Sequence, residues 1–400
     1  MLTLAPDPGV PQRDALLDDA AVARVLGVPA ERVYAKYRVG ESLRVVHRLG
    51  AGGHVAARTF RDGASAGAYE RALASAVPAG PLPPVIHAPA LDAVFWAFPN
   101  DRKIAALPLL SPGSPELARL LGRPCRATRL VTYAAERAAG AACLDDRGRP
   151  IAYVKVHAGD GAARERGALE AVAATGQRVP RVLAASEHAL ALEPLPGRGI
   201  DDLRGRDLVA ALRGLGGALG ALHGASPAGL PRFVRLEPDR LGRAVSAIAR
   251  ARPDAGRPAA LVLAALLDRR ADASPGVDAP AVFLHGDANL RNAIVDGDRV
   301  ALIDLEDAAA GPPAADLGQV LARLLAARML GRITPAAERA LAAAVLDGYA
   351  AVAPPPGEDS LRWHTAASVL ARVALPAVNR VRAPLLRRLV PLLEAAEAAA

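Results

Sequence analysis

Along the chain of 400 residues, the spacing of apolar positions changes character near residue 200. Before that point, short runs alternate apolar and polar residues between turn residues, the pattern of strands and hairpins. The run CLDDRGRPIAYVKV reads as a hairpin whose second strand ends near Lys155. Asp160 is placed to cap a helix from about Gly161 to Thr175, which Gly176 and Pro180 then close. From about Asp201 onward, apolar residues recur at helical spacing, predicting helices over 202–224, 236–252, 257–270, 314–329, 334–350, 359–378 and 383–399. One hairpin interrupts them. AVFL is a short strand of the buried type, and AIV and RVALI flank Asp296-Gly297, a strong hairpin-turn signal.

The first half also runs through one plan twice. Tyr37 and Tyr133, Phe60 and Val156, and Pro84 and Pro180 are each 96 residues apart, while Glu70 and Glu165 are 95 apart. Constant spacing of this kind points to an internal repeat, each copy reading as hairpin strands, a helix and a further strand. Residues 1 to about 24 read as a loose, Pro-containing lead-in followed by a short helix.

Composition narrows the function. The chain carries a net charge of +8, but its basic residues are scattered and aromatics make up only 3%, which argues against nucleic acid as a partner. Two cysteines, Cys125 and Cys143, give no disulfide framework and no metal-ligand spacing. The start, MLTLAPDPGVPQRD, lacks the basic end and apolar run of a signal peptide, and charges interrupt every candidate membrane span. A soluble cytoplasmic protein without a membrane partner is therefore expected. Only three of the 49 basic residues are lysines, Lys36, Lys103 and Lys155, so each lysine draws attention.

Polar chemistry concentrates in AVFLHGDANLRNAIVDGDRVALIDLED, Ala281 to Asp307, which holds two of the four asparagines in the chain. With a two-residue turn at Asp296-Gly297 or Gly297-Asp298, Ala301 or Ile303 stands opposite Asn292, so Asp304 arrives beside Asn292 at the open end of the hairpin. An amide oxygen and a carboxylate on one rigid support suit Mg²⁺ carried by a nucleotide phosphate. Asp287, in the loop leading into the hairpin, could accept a proton from an attacking hydroxyl, and His285 could orient that loop.

HGDxxxxN followed by a short hairpin and ID resembles the catalytic loop and metal segment of the aminoglycoside phosphotransferase and choline kinase superfamily, a branch of the protein-kinase-like fold. The resemblance implies an α+β, two-lobed architecture, to which the first repeat copy adds an N-terminal α+β subdomain. Its expected boundaries are a lead-in over 1–24, the subdomain over 25–124, a small β-rich N-lobe over 125–195 and a mainly helical C-lobe over 196–400. It makes Asp287 the catalytic base, with His285 in the same loop, and Asn292 and Asp304 the Mg²⁺ ligands. Asp316, in GPPAADLG, would support the catalytic loop. The same kinship asks for a strand lysine and a helix glutamate upstream. Lys155 supplies the first, and Glu165, sharing an inward stripe with Ala168, Leu169 and Val172, supplies the second. The backbone from Glu193 to Leu195 would form the hinge that meets adenine.

Two departures stand out: the loop before Lys155 has only Gly140 where a Gly-rich phosphate cover would be expected, and Leu305 replaces the aromatic residue of many relatives. In the first repeat copy, Arg58 and Thr59 stand around the position of Lys155, so that copy reads either as a degenerate, noncatalytic cap or as an unrelated α+β extension. The expected activity is transfer of the γ-phosphoryl group of ATP, or GTP in its place, to a hydroxyl of a small molecule such as an aminoglycoside, an amino alcohol or a sugar. The competing expectation is an inactive, kinase-like binding or regulatory module. A metal-dependent phosphoesterase is disfavoured because the eight histidines form no ligand clusters.

Overall fold

The structure, a computed structural model, describes residues 4–50, 52–272 and 281–400. The chain divides into two units: Pro6–Arg166 with Val182–Pro194, and Met1–Ala5 with Gly167–Arg181 and Leu195–Ala400. The first is rich in strands and the second is mainly helical, a mixed α+β chain.

The first unit opens with α1 (Arg13–Leu17) and α2 (Asp19–Leu26). The Asp18 side chain caps α2 by accepting from the Ala20 amide, and Gly27 ends it in the left-handed conformation. The lead-in is tied down more firmly than its prolines suggest. Asp7 accepts hydrogen bonds from the Tyr37 hydroxyl (2.5 Å) and the Gly40 amide (2.6 Å), and Arg13 is fully buried against the Tyr37 ring.

An antiparallel sheet follows, made of β1 (Ala30–Arg38), β2 (Ser42–Leu49), β3 (His54–Thr59), β4 (Val85–Ala88) and β5 (Ala93–Ala97), with α3 (Ser65–Leu73) between β3 and β4. Its strand order is β1-β2-β3-β5-β4. After α4 (Pro115–Leu121), the plan recurs as β6 (Ala127–Ala134), β7 (Ala138–Leu144), β8 (Pro150–His157), α5 (Gly161–Ala173), β9 (Val182–Ala185) and β10 (Ala189–Leu192). The order is β6-β7-β8-β10-β9, the same as in the first sheet. Each copy has two strands after its helix where the sequence pattern predicts one.

The registers also correspond. Tyr37 faces Leu43 as Tyr133 faces Ala139, and Arg44 faces Arg58 as Gly140 faces Lys155. On their other sides, Arg58 pairs with Val94 and Lys155 with Leu190. Arg58, rather than Thr59, therefore occupies the position of Lys155 in the first sheet. Both sheets contribute to one core, in which Val46 and Ala56 of the first join Ala139, Ala141, Ala152 and Val154 of the second, with Ile104, Leu107 and Leu117 from the connecting segment.

The second unit contains β11 (Arg198–Gly199), α6 (Gly205–His223), α7 (Pro238–Ala251), α8 (Gly256–Asp272), β12 (Val282–Leu284), β13 (Ala293–Asp296), β14 (Arg299–Leu302), β15 (Ala309–Gly311), α9 (Ala314–Met329), α10 (Pro335–Ala350), α11 (Glu358–Ser368), α12 (Leu375–Asn379), α13 (Ala383–Leu386) and α14 (Leu389–Ala399). Helices α6 and α10 meet backbone to backbone: a Cβ on Gly216 would lie 1.9 Å from the Val345 carbonyl oxygen, and one on Gly348 1.9 Å from that of Arg213. Two expected helices are interrupted. Val369–Ala374 is a π-helical segment between α11 and α12, and the predicted 383–399 helix breaks after Leu386. Pro391 accounts for the second break, because its ring would collide with the carbonyl of Arg387 and it has no N–H to offer that group. Among the described residues, no helix is long and apolar enough to cross a membrane.

Candidate active site

The hairpin predicted from Asp-Gly forms with Gly297 and Asp298 as its turn, because Asp296 pairs with Arg299 and Ala293 with Leu302. In that register the Ile303 amide donates to the Asn292 carbonyl (3.0 Å), which places Asp304 one residue beyond the ladder at its open end. Asp304 adopts φ 65°, ψ 56°, a left-handed conformation that short polar residues tolerate better than most. The strand ahead of the loop, β12, is held by β15, a pairing absent from the sequence reading. Leu305, the departure from the aromatic pattern, is fully buried.

Between β12 and the hairpin runs the loop of His285, Gly286 and Asp287. Gly286 has φ 75°, and a Cβ there would fall 1.9 Å from the Asp307 carbonyl oxygen, so only glycine fits this crossing. The carboxylate of Asp316, fully buried in the first turn of α9, accepts from the amides of His285 (2.6 Å) and Gly286 (3.0 Å). His223 on α6 approaches the same carboxylate at 3.3 Å, and its other nitrogen meets the Tyr349 hydroxyl at 2.9 Å. Asp316 is thus the anchor of the loop and more than a helix-start acid. The His285 ring lies 3.0 Å from the Ile303 carbonyl through Nε2, which must carry the proton since a carbonyl only accepts. That contact gives His285 a positioning part, tying the loop to the hairpin.

Asp287 is held from both sides. Asn289 and Asn292 each donate an amide hydrogen to its carbonyl oxygen, at 2.9 and 3.0 Å, and Nδ2 of Asn292 also lies 3.5 Å from its carboxylate. Burial alone would push the Asp287 carboxyl up, but Arg372, with His285 and Arg323, outweighs it and holds the group below the ordinary carboxylate range. With Nδ2 of Asn292 committed to Asp287, its Oδ1 is the atom left for a cation. Asn292 and Asp304 then offer a hard amide oxygen and a carboxylate, donors that fit Mg²⁺. Among the described residues, no three His, Cys, Asp or Glu side chains converge as a metal cluster.

In the strand-rich unit, Nζ of Lys155 on β8 donates to Glu165 on α5 at 2.6 Å, with Glu165 fully buried and His157 3.6 Å from its second oxygen. Glu193 and Leu195 follow directly on β10, where the chain leaves this unit for the helical one. The β6–β7 hairpin before Lys155 turns through Glu136, a non-glycine at φ 62° in the turn position of Gly40 in the first sheet, whose φ is 74°. The buried Glu136 carboxylate takes Arg102 through Nε (2.7 Å) and Nη2 (3.1 Å), Arg58 at 2.8 Å and Arg44 at 3.4 Å. Its amide donates to Asp101. The side chain at the lysine position of the first sheet therefore grips the hairpin of the second.

Several neighbours of the loop escape sequence reasoning: His223, Tyr349, Gln319, Arg323 and Arg372. Arg372 pairs directly with the Asp287 carboxylate. Its one sequence signal is isolation, a lone charge within SVLARVALPAV. Trp363 donates to the Leu266 carbonyl on α8, and the His364 ring meets the Ser360 carbonyl one turn earlier on α11.

A model of the phosphotransferase enzyme family matches residues 145–364, more than half of the chain, and the chain belongs to this family. Its fold is that of the protein-kinase-like phosphotransferases. It is similar to a thermostable variant of aminoglycoside phosphotransferase APH(4)-Ia in ternary complex with ADP and hygromycin B, at 16% identity and a TM-score of 0.53, covering 71% of this chain and 97% of that one. Spectinomycin phosphotransferase APH(9)-Ia in complex with ADP and spectinomycin matches at 13% identity and a TM-score of 0.52, with the same two coverages. Aminoglycoside phosphotransferase APH(3'')-Id from Streptomyces rimosus matches at 23% identity over 61% of this chain and 92% of that one, with a TM-score of 0.45. No curated protein matches the chain.

Proposed function

We propose that the protein transfers the γ-phosphoryl group of ATP to a hydroxyl of a small molecule. The observation that carries this reading is the Asp287 loop. A carboxylate held below its ordinary range beside Asn292, with Asp304 just beyond the same hairpin, supports the reading of a proton acceptor close to a pair of Mg²⁺ ligands. Asp287 would take the proton of the attacking hydroxyl as the new P–O bond forms and the bond to ADP breaks. Asn292 and Asp304 would hold Mg²⁺, which when bound neutralises charge on the transferring phosphates. Lys155, fixed by Glu165, would pair with the α- and β-phosphates, and the backbone from Glu193 to Leu195 would meet the base. His285 keeps the loop in place through Ile303.

In the same reading, residues 25–124 are a degenerate duplicate of the nucleotide lobe at 125–195. The matching strand order and register support this, as does the loss of the lysine pair: Arg58 takes the lysine position and turns to Glu136, while Glu70 on α3 is exposed. The test is acceptor-dependent ADP formation in the presence of Mg²⁺. Turnover that rises on adding a hydroxyl compound is the expected result, and ATP hydrolysis unchanged by any hydroxyl compound would reject transfer.

A further inference from the structure

We infer that the acceptor site next to Asp287 is built for an anion, so that the hydroxyl substrate carries a carboxylate or phosphate and is not a polycation. The inference rests on the phosphotransfer reading, because a hydroxyl must lie within hydrogen-bond reach of Asp287 to lose its proton there. The remainder of the acceptor then occupies the space beside the loop, and in the helical unit guanidinium groups gather near it, Arg372 and Arg323 acting on Asp287 itself.

Arg372 stands on the π-helical segment Val369–Ala374, a distortion common at functional sites. It pairs with the Asp287 carboxylate, donates to the Gly286 carbonyl (3.3 Å) and, through Nε, to Gln319 (3.0 Å). Gln319 donates to Gly286 in turn (3.4 Å), and Arg323 lies one helical turn further along α9 on the same face. Among the described residues, Arg291, Arg323 and Arg382 form no ion pair, although Arg323 and Arg382 are half-buried. Burial first, then repulsion from neighbouring arginines, brings Arg323 and Arg382 down to about 10, with Asp287 opposing the shift at Arg323. The neighbours include Arg372, Arg382 and Arg291 for Arg323, and Arg380, Arg291 and Arg332 for Arg382.

Ion pairs cover part of this charge, Arg328 with Glu338, Arg362 with Glu358 and Arg372 with Asp287, and among the described residues they leave Arg291, Arg323 and Arg382 aside. No acidic residue occurs between Asp316 and Glu338, where Arg323, Arg328 and Arg332 lie, or between Asp359 and Glu394, which enclose six arginines. Half-buried guanidinium groups without carboxylates are unfavourable, and their planar forks match carboxylate or phosphate oxygens in pairs. A bound anion pairs with these guanidinium groups, whereas an amine-rich acceptor is repelled by them and finds its carboxylate partners at Asp287 and Asp304.

The test uses the full chain with Mg²⁺ and AMP-PNP and measures calorimetric binding of phosphoglycerate, gluconate, inositol and hygromycin B. At least one of the two anions is expected to bind about tenfold or more tightly than inositol and hygromycin B. Arg323→Gln and Arg382→Gln should each weaken that anion about tenfold, with partial recovery in the lysine variants. Circular dichroism shows that each variant is folded. Preference for inositol or hygromycin B overturns the inference, as does a loss of AMP-PNP affinity in place of anion affinity, which would assign these arginines to the nucleotide. Anion binding with no phosphoryl transfer from ATP would leave the site standing and reject the phosphotransfer reading.

Discussion

Asp316 occupies the first turn of α9, where an acid is ordinary, yet its two oxygens satisfy the amides that set the His285-Gly286 backbone. Local sequence could not separate these roles, because the partners arrive from 30 residues upstream. Asp287, Asn292 and Asp304 were easier to read, since a two-residue turn fixes the register that brings them together. Arg323 and Arg372 were not readable: with three lysines among 49 basic residues, arginine is too common here to signal a site. Another buried group offers a pH test. His47 on β2 is fully buried, and burial lowers it to about 4, aided by Arg32 and opposed by Asp19 at 3.6 Å. Its folded value lies below the roughly 6.5 of an unfolded histidine, so folding excludes the proton. Stability should be complete above about pH 6.5 and fall as pH drops toward 4, by on the order of 2–3 kcal/mol. Urea midpoints measured across that range should show the slope, and His47→Leu should flatten it. An equal slope in the variant would assign the acid sensitivity elsewhere.

At the scale of elements, periodicity located most helices, with α9 matching its predicted bounds of 314–329. It failed where a distortion or a partner decides the outcome. The π-helical turn at Val369–Ala374 keeps helical spacing in sequence, and β15 exists because β12 needs a partner. The β6–β7 hairpin is the clearest such case. Its sequence lacks the glycines of a flexible phosphate cover, and the structure fixes its tip through Glu136 and three arginines. Burial would raise Glu136, but Arg102, Arg58 and Arg44 prevail and hold it below its usual value, so its stabilisation is present at neutral pH and lost as pH falls through that lowered value. Glu136→Gln leaves three guanidinium groups without their carboxylate. The expected cost is about 3 kcal/mol, toward the lower end for a broken buried pair because Arg58 and Arg102 keep some solvent contact. Denaturant unfolding at neutral pH measures it, and a cost below about 0.5 kcal/mol would show that the cluster contributes no more than a surface pair.

For the whole molecule, the repeat was visible in sequence as a spacing of 96, but its packing was not, since alanine-rich strands match one another whether or not they touch. The shared core of Val46, Ala56, Ala139, Ala141, Ala152 and Val154 makes the first sheet a structural part of the strand-rich unit. Removing residues 1–124 should therefore leave the second sheet with an exposed apolar face and yield an aggregating or unfolded fragment, read by circular dichroism and gel filtration. A folded, monomeric fragment would mean the first sheet is an accessory. The central claim concerns chemistry at Asp287. Its most direct test follows γ-labelled phosphate from ATP to a hydroxyl acceptor in the intact protein and in Asp287→Asn, with nucleotide affinity measured in both. Labelled acceptor from the intact protein, and a rate about a hundredfold to ten-thousandfold lower in the variant at similar nucleotide affinity, is the predicted result. Equal transfer by the two proteins would contradict it.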